Sequence, residues 1–446
     1  MKTSLPRVLH LLPHTGGGVG TVLRAFFKAE METGRYTHSV ITFETINEAS
    51  KTCFKQLNMA WLETADDAAI AAGIEAAELV VLHWWNHPQW MRILSQGLPA
   101  CRLAIWSHVN GFHTPQAFFP ELFDFPDRFV FATPASFEAP VVKALTPAQA
   151  SQLAVIVSNS GVPPGADKFC HKTSPFQAGY IGTVEPAKMH PEFLSMCARA
   201  QLALPCLVAG GPAHQALQAK AEQSGLAQQF KILGPLSDPY AFFQGLHVLT
   251  YPLVPEHYGT GEQVLIEAMA YGAVPLVLAH PPEKALIQNM ETGILAESPE
   301  AFSEALRFLA EHPAERERMA LAGHRFVLEN CPIEKTQSQF HQLFETLLGL
   351  SKQSRKLALP EFNGVERGSP FHLYLTACGD SPERSAALDF LAEKDEPEKV
   401  WPPSFVYLTR GSPVHYLNLL GADPVLERMR DRFVSRPELA SFGARS

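Results

Sequence analysis

The sequence predicts an α/β protein. It would hold two Rossmann-like domains, each a parallel sheet covered by helices, facing a cleft, with a C-terminal extension beyond them. Three observations carry this. Short apolar runs alternate with helical stretches over roughly the first 157 residues. A second alternating set starts at Ala178 and passes Leu278. From 356 onward the chain changes character, and 446 residues exceed what two such domains need.

The elements follow in order. Val8–Leu12 reads as a strand, and the glycine-rich turn Gly16–Gly20 leads into a helix near Thr21–Glu32. Strands are expected at His38–Phe43, Leu79–His83, Leu103–Ser107, Arg128–Ala132 and Val155–Val157. Residues 163–177, with Pro, Gly and charges, read as a linker. The second set offers strands at Ala178–Ile181, Cys206–Ala209, Phe230–Leu233, Val248–Tyr251 and Pro275–Leu278. Helices are expected near Glu192–Ala203, Ala213–Ser224 and Tyr240–Gln244, then at Pro299–Ala310, Pro313–Asn330 and Glu334–Leu350. The domains are therefore 1–165 and 175–335, a helix at 336–355 able to cross back, and a tail at 356–446. In that tail Arg367-Gly-Ser-Pro-Phe-His recurs as Arg410-Gly-Ser-Pro-Val-His. Each copy suits a Ser N-cap with Pro at the first helical position. The pair reads as an accessory module packed on the second domain or on a partner.

Composition narrows the class. Hydrophobic residues are 46% and charged ones 18%, which suits a globular chain rather than a disordered one. A formal charge of −9 without a Lys/Arg run argues against nucleic acid as ligand. The 7 cysteines are scattered and never form a Cys-x-x-Cys pair, as in a reducing compartment without a zinc knuckle. No apolar run reaches the length of a membrane span, and the N-terminal apolar stretch is brief and interrupted by His10. These features lead us to expect a cytoplasmic protein, with peripheral membrane contact left open.

The most informative stretch is Thr250–Leu278. A strand enters a turn-rich loop, and Thr260-Gly261-Glu262-Gln263 has the pattern of a capping box opening a helix that Gly272 closes. Within that helix Glu267 stands among Val264, Leu265, Ile266, Ala268, Met269 and Ala270. A carboxylate in such company is costly unless hydrogen-bonded. The helix start offers N–H groups and a positive dipole end to an anion, so the amides around Gly261, Glu262 and Gln263 suit a phosphate. A nucleotide sugar meets both demands. A core carboxylate bonded to backbone meets the first alone, and the helix by itself leaves both readings open.

The motif order resembles a GT-B fold glycosyltransferase, and the second half is similar to family 4, whose members use nucleotide-sugar donors with retention of configuration. The resemblance spans roughly residues 5–350 and is strongest from Gly179 to Leu295. Gly16-Gly17-Gly18 resembles the family's glycine loop near donor phosphate and acceptor, so Gly17 and Gly18 are implied donor contacts. His108 resembles the histidine near the transfer centre. Asn159-Ser160-Gly161-Val162 is similar to the family's Asn-Gly-Val turn. Gly182-Thr183-Val184-Glu185-Pro186-Ala187-Lys188 is similar to the Gly-Arg…Lys motif, with Thr183 where the family has arginine and Lys188 left to hold the diphosphate. Glu267-Ala-Met-Ala matches the second half of the family's carboxylate pair and implies ribose recognition by Glu267. The first half departs: Gly259 stands eight residues back, and Glu256-His257-Tyr258-Gly259 carries the Glu-x-aromatic-Gly run three residues early. The resemblance thus assigns Glu256 to the donor sugar, with Glu262 as rival. It implies no metal and no cofactor beyond the nucleotide sugar, and an acceptor that is a glycan or a lipid-linked molecule.

Other readings were weighed. His83 with His87, and His108 with His113, have tempting spacings, but no helix brings either pair to one metal, so no metal site is expected. Trp84, Trp85 and Trp90 suit either a sugar-facing platform or a loop core. Gly16–Gly20 with Glu44 mimics a dinucleotide fingerprint, yet Thr21 or Leu23 occupies the slot of the last glycine. A nucleotide-sugar or glycan-binding scaffold without turnover also remains, because one basic residue is missing.

Overall fold

The computed structural model describes residues 5–169, 171–260, 263–393, 401–406 and 410–433. The described residues divide into two compact units, one within 5–158 and 336–433, the other within 159–335.

The first unit holds a seven-stranded sheet, all parallel, in the order β3-β2-β1-β4-β6-β7-β8. Its strands are β1 (Arg7–Leu12), β2 (Thr37–Thr42), β3 (Ala60–Glu63), β4 (Leu79–Trp84), β6 (Leu103–Ser107), β7 (Arg128–Phe131) and β8 (Leu153–Val155). The strand order reverses between β1 and β4, where ligands of open α/β sheets gather at the carboxyl ends. The central strands are largely apolar, as two-sided burial demands; β4 and β6 are buried at every position. β3, missed by the sequence reading, is an edge strand with only half-buried or exposed residues, so it lacks the apolar signal.

After β1 the helix Gly17–Thr33 begins without a side-chain cap. Gly17 has φ +63°, and a Cβ on Gly20 would stand 1.9 Å from the Thr15 carbonyl oxygen, which fixes glycine at both positions. The helix Ile333–Leu348 lays Phe340 and Phe344 on this unit: Phe340 packs on Phe26 at 4.8 Å between ring centroids and on Trp106 at 4.9 Å.

β5 (Leu98–Cys101) pairs antiparallel with β15 (Gln353–Arg355). That strap is pinned by Arg355, whose guanidinium meets the buried Asp127 carboxylate at 2.5 Å and donates to the Cys101 carbonyl at 2.7 Å. Beyond it, helices Pro370–Ala377 and Pro413–Leu420 pack on each other and on helix Pro88–Gln96. Both start as the repeated motif predicts. Ser369 accepts from the His372 N–H at 3.2 Å and Ser412 from the His415 N–H at 3.3 Å, each with Pro at the first position. The expectation that the tail packs on the second domain or a partner is corrected. Its apolar faces cover the first unit, where Tyr416 donates to Asn86 at 2.7 Å and Gln116 to the Arg410 carbonyl at 2.8 Å.

The second unit holds a six-stranded parallel sheet in the order β11-β10-β9-β12-β13-β14. Its strands are β9 (Ala178–Ile181), β10 (Cys206–Ala209), β11 (Phe230–Gly234), β12 (Val248–Tyr251), β13 (Val274–Leu278) and β14 (Ile294–Ala296). The reversal falls between β9 and β12. The stretch read as a linker is instead strapped to this unit. Ala166 is buried in its core, Phe169 closes over Gly272, and Tyr271 donates to the Pro164 carbonyl at 2.6 Å. Lys172 crosses to the carbonyls of Phe243, Gln244 and Leu246, the bare end of helix Pro239–Gly245. Proline and charge mimicked a linker because irregular backbone needs the same residues.

No helix among the described residues is long and apolar enough to cross a membrane. The six described cysteines are buried and unpaired.

Candidate functional site

Each unit carries candidate site residues at the carboxyl ends of its own sheet. In the second unit the strand ends converge on glycines. A Cβ on Gly210 would stand 1.8 Å from the Gly182 carbonyl oxygen, so the loops after β9 and β10 approach as only glycine allows. Tyr180 and Tyr251 stack at 5.1 Å beneath them, and the Tyr180 hydroxyl donates to the Thr183 carbonyl at 2.6 Å. Thr183 is half-buried and presents no charge where the resembling family has arginine.

Lys188 follows on a turn closed by its N–H to the Glu185 carbonyl at 3.1 Å. That turn is sewn to the loop after β12. The Val254 N–H donates to the Lys188 carbonyl at 2.9 Å, and the His190 N–H to the Pro252 carbonyl at 3.1 Å. The buried Lys188 ammonium lies 5.7 Å from the Tyr258 ring centre, as a cation over an aromatic face. The structure therefore brings Lys188 and the Glu256 loop together. Glu256 itself is exposed, while its neighbour His257 is buried, 3.3 Å from the buried Glu283 carboxylate, and anchors the loop.

The helix Gln263–Ala270 buries Leu265, Ile266 and Met269 in the core, each contributing about 1.5–3 kcal/mol, and ends at Gly272 with φ +70°. Gly261 and Glu262 lie outside the described residues, so the cap and the rivalry of Glu262 with Glu256 fall there. Gln263 begins the described part of the helix. Its side-chain carbonyl accepts from the Ser160 N–H at 3.1 Å, and its amide Nε2 is buried without a partner. Glu267 projects from the same helix, half-buried. Burial pushes its carboxyl up to about 7, and among the described residues no hydrogen bond to that carboxylate is found. It is half-buried and not locked to the backbone.

In the first unit the candidate residues surround the turn after β1. Gly17 and Gly18 are exposed at the helix start, and the Gly16 N–H donates to His14 Nδ1 at 2.9 Å. His14 packs on Trp85 at 4.9 Å, and Trp85 lies 6.2 Å from His108. His108 follows β6, its N–H held by the Trp84 carbonyl at 2.8 Å. Burial, then His14, lowers its pKa to about 3, so the ring is neutral. Trp84, Trp85 and Trp90 are at most 5% exposed, so of the two readings the sequence left open, burial favours a packed core.

Sequence reasoning missed two features here. His10, His38 and His83 are buried in consecutive hydrogen-bond contact, at 3.0 Å for each of the two steps, and His83 reaches His108 at 2.8 Å. Histidines recurring inside apolar strands were the available signal. Separately, Glu44, His87 and His415 bring ligand atoms within 4.8 Å of one another. Nothing in the spacing could reveal this, because His415 arrives from the tail. The donor set does not suit a cation. His87 Nδ1 accepts the Gln89 N–H at 3.3 Å and His415 Nδ1 the Gly411 N–H at 2.9 Å. Each Nε2 of a neutral ring then carries the hydrogen, which His87 gives to Glu44 at 3.1 Å. The cluster reads as a hydrogen-bonded junction of tail and sheet. Burial, then Arg410, lowers the His14 pKa to about 4, which places the tail's guanidinium charge beside the glycine turn. Glu44, bonded to His87, is not left to act as the acid of a dinucleotide fingerprint.

Residues 166–326 match the family model described as Glycosyl transferases group 1. No curated protein matches. Among solved structures, Anabaena HepE in complex with UDP and glucose superposes with a TM-score of 0.61 at 14% identity, covering 76% of this chain and 99% of that one. A glycosyltransferase from Rickettsia africae does so at 0.61 and 12%, covering 78% and 100%. Sucrose-phosphate synthase from Thermosynechococcus elongatus does so at 0.57 and 15%, covering 77% and 99%. The chain thus has the GT-B fold of these glycosyltransferase structures, and the match to the group 1 glycosyl transferase model falls within its second unit.

Proposed function

We propose that the protein is a glycosyltransferase that moves a hexose-type sugar from a nucleoside-diphosphate sugar to a glycan or lipid-linked acceptor, with retention of configuration. The observation that carries this is Glu267: a half-buried carboxylate without a partner, on the helix that also holds the unpartnered Gln263 amide, inside the segment matching a glycosyl transferase family. Ribose hydroxyls supply the hydrogen bonds the carboxylate lacks, and a diphosphate oxygen supplies an acceptor for Gln263 Nε2.

In this reading the donor diphosphate lies by the Gly182–Lys188 turn and the start of helix Gln263–Ala270. Charge grows on the leaving diphosphate as the glycosidic bond breaks. The Lys188 ammonium, held by its turn and by Tyr258, is a preorganised counter-charge. Glu256 reaches the sugar hydroxyls from its exposed loop. Gly17 and Gly18 approach the donor phosphate from the glycine turn, and His108 belongs to the acceptor side. The nucleotide sugar is the co-substrate, and no resident metal or cofactor is assigned. The supporting likeness is that HepE structures hold UDP, UDP-glucose, or UDP with glucose.

The test is release of nucleoside diphosphate across a panel of nucleotide sugars and acceptors, after a thermal-shift screen selects the donor. Release that disappears in Glu267→Ala supports the reading. One observation favours a second reading: with Thr183 in place of arginine, a single cation faces the diphosphate, as a binding scaffold tolerates. Donor binding without release for any acceptor tried would favour the scaffold.

A further inference from the structure

The imidazoles of the first sheet form a staircase. His38 on β2 stands opposite Val8; His10 on β1 lies two residues further and opposite Val81; His83 on β4 lies two further and opposite Trp106; His108 lies two residues past Trp106. Side chains two apart share a face of a sheet. The four rings therefore climb one face diagonally, one strand per step, towards the carboxyl ends where the site lies. They are in hydrogen-bond contact at each step: His38 Nδ1 to His10 Nε2 at 3.0 Å, His10 Nδ1 to His83 Nε2 at 3.0 Å, and His83 Nδ1 to His108 Nε2 at 2.8 Å. The last two rings are within 6° of coplanar.

The lower end is tied to groups whose roles are fixed. Arg35 can only donate, and it stands 3.1 Å from His341 Nδ1. That nitrogen is then the acceptor, so His341 Nε2 carries the hydrogen and gives it to Glu30 Oε1 at 2.6 Å. Glu30, 2% exposed, has its pKa lowered: bonds from His38 and Gln337 outweigh the burial that would raise it. As a carboxylate it only accepts, and at 3.3 Å it takes the His38 Nε2 hydrogen. For neutral rings one direction follows. His10 Nε2 donates to His38 Nδ1, His83 Nε2 to His10 Nδ1, and His108 Nε2 to His83 Nδ1.

We propose that Glu30, acting through His38, His10 and His83, is a remote positioning group that locks His108 in the Nε2–H tautomer, leaving Nδ1 as its hydrogen-bond acceptor. This rests on the reading that His108 serves the acceptor side. A ring so fixed takes a hydrogen bond from an acceptor hydroxyl and cannot rotate or switch tautomer without breaking the chain. Burial lowers the pKa values of His10, His83 and His108, so these rings orient one another and store no charge.

The test is nitrogen-15 NMR of the histidine rings in the full chain, in mildly alkaline solution. The wild type should show His108 in the Nε2–H form alone. Glu30→Gln, four hydrogen bonds away, should give His108 a mixture of both tautomers and lower the transfer rate about tenfold, with the donor KM unchanged. His10→Phe keeps a ring among Phe26 and Phe27 and should do the same if Glu30→Gln fails to fold. Val81→Ala, a plain core truncation beside the chain, should lower stability and leave the tautomer alone. A wild-type His108 carrying hydrogen on Nδ1, or an unchanged tautomer in both chain variants, overturns the proposal. Correct tautomers without any sugar transfer would instead overturn the glycosyltransferase reading and leave the chain standing.

Discussion

The carboxyl ends of the two sheets are built on opposite plans. In the first unit, imidazoles from β1, β2, β4 and the end of β6 bond one another, and the tail joins Glu44 and His87 through His415. In the second unit the Glu267 carboxylate and the Gln263 amide are left without partners, and two loops meet glycine to glycine. A buried polar group without a partner costs about 1–3 kcal/mol, and a ligand that accepts from the Gln263 amide would recover that cost. The difference teaches where polar groups stay open. The segment matching a known family holds the unpartnered Glu267 carboxylate, whereas the first unit ties most of its buried imidazoles to one another and leaves His14 Nε2 and the Trp84 and Trp85 indole N–H groups unpaired.

The sharpest way to break this comparison is to remove the incomplete site's chemistry. Lys188→Ala and Glu267→Ala should each cut nucleoside diphosphate release by about 10²–10³-fold while the circular dichroism melt stays two-state and close to wild type. Loss of less than tenfold in both would place the donor elsewhere. Next in size is the strap of the first unit. Arg355→Ala leaves Asp127 buried without its cation and should cost about 3–5 kcal/mol in denaturant unfolding. An unchanged midpoint would show that the tail is not integral to the unit.

The pH dependence sharpens the contrast further. The Glu267 carboxyl is raised from an ordinary 4.5 to about 7 by burial. The folded state therefore favours the protonated form, and the stability it lends is complete below 4.5 and lost as pH rises through about 7. Glu267→Gln should remove that loss in melting curves taken across the range. Ribose hydroxyls favour the ionised form, so donor binding near pH 7 should release about half a proton, read by calorimetry in buffers of different ionisation enthalpy. A pH-independent affinity would separate Glu267 from the ribose. The smallest expected effect is Tyr416→Phe, which deletes the bond to Asn86 and should cost about 1 kcal/mol. A much larger loss would mean that the tail junction is cooperative with the sheet.

The fold was legible because buried parallel strands are continuous apolar runs; β4 and β12 are buried at every position and were read directly. β14 escaped because three residues give no period to read, and β15 because its residues are exposed or half-buried and owe their place to pairing with β5. Of the candidate site, the helical setting of Glu267 was legible and the turn that carries Lys188 lies where its motif was read, since each is set by neighbours in sequence. The junction at His87 was not, because its partner lies in the tail and amphipathic helices do not declare which surface they cover. Residues 163–177 misled for a related reason: Tyr271 and Lys172 satisfy that backbone from afar.

The first unit is written in two pieces, with 177 residues of the other unit between them, 159–335. Translation is vectorial, so a nascent chain meets the ribosome exit with β1 to β8 made and with Glu30 still lacking His341, and Asp127 lacking Arg355. The second unit has all of its described strands and can close while the first waits. Synthesis order thus makes the earlier-born lobe the later one to mature, and a stalled or prematurely ended transcript would leave it exposed to proteases and chaperones.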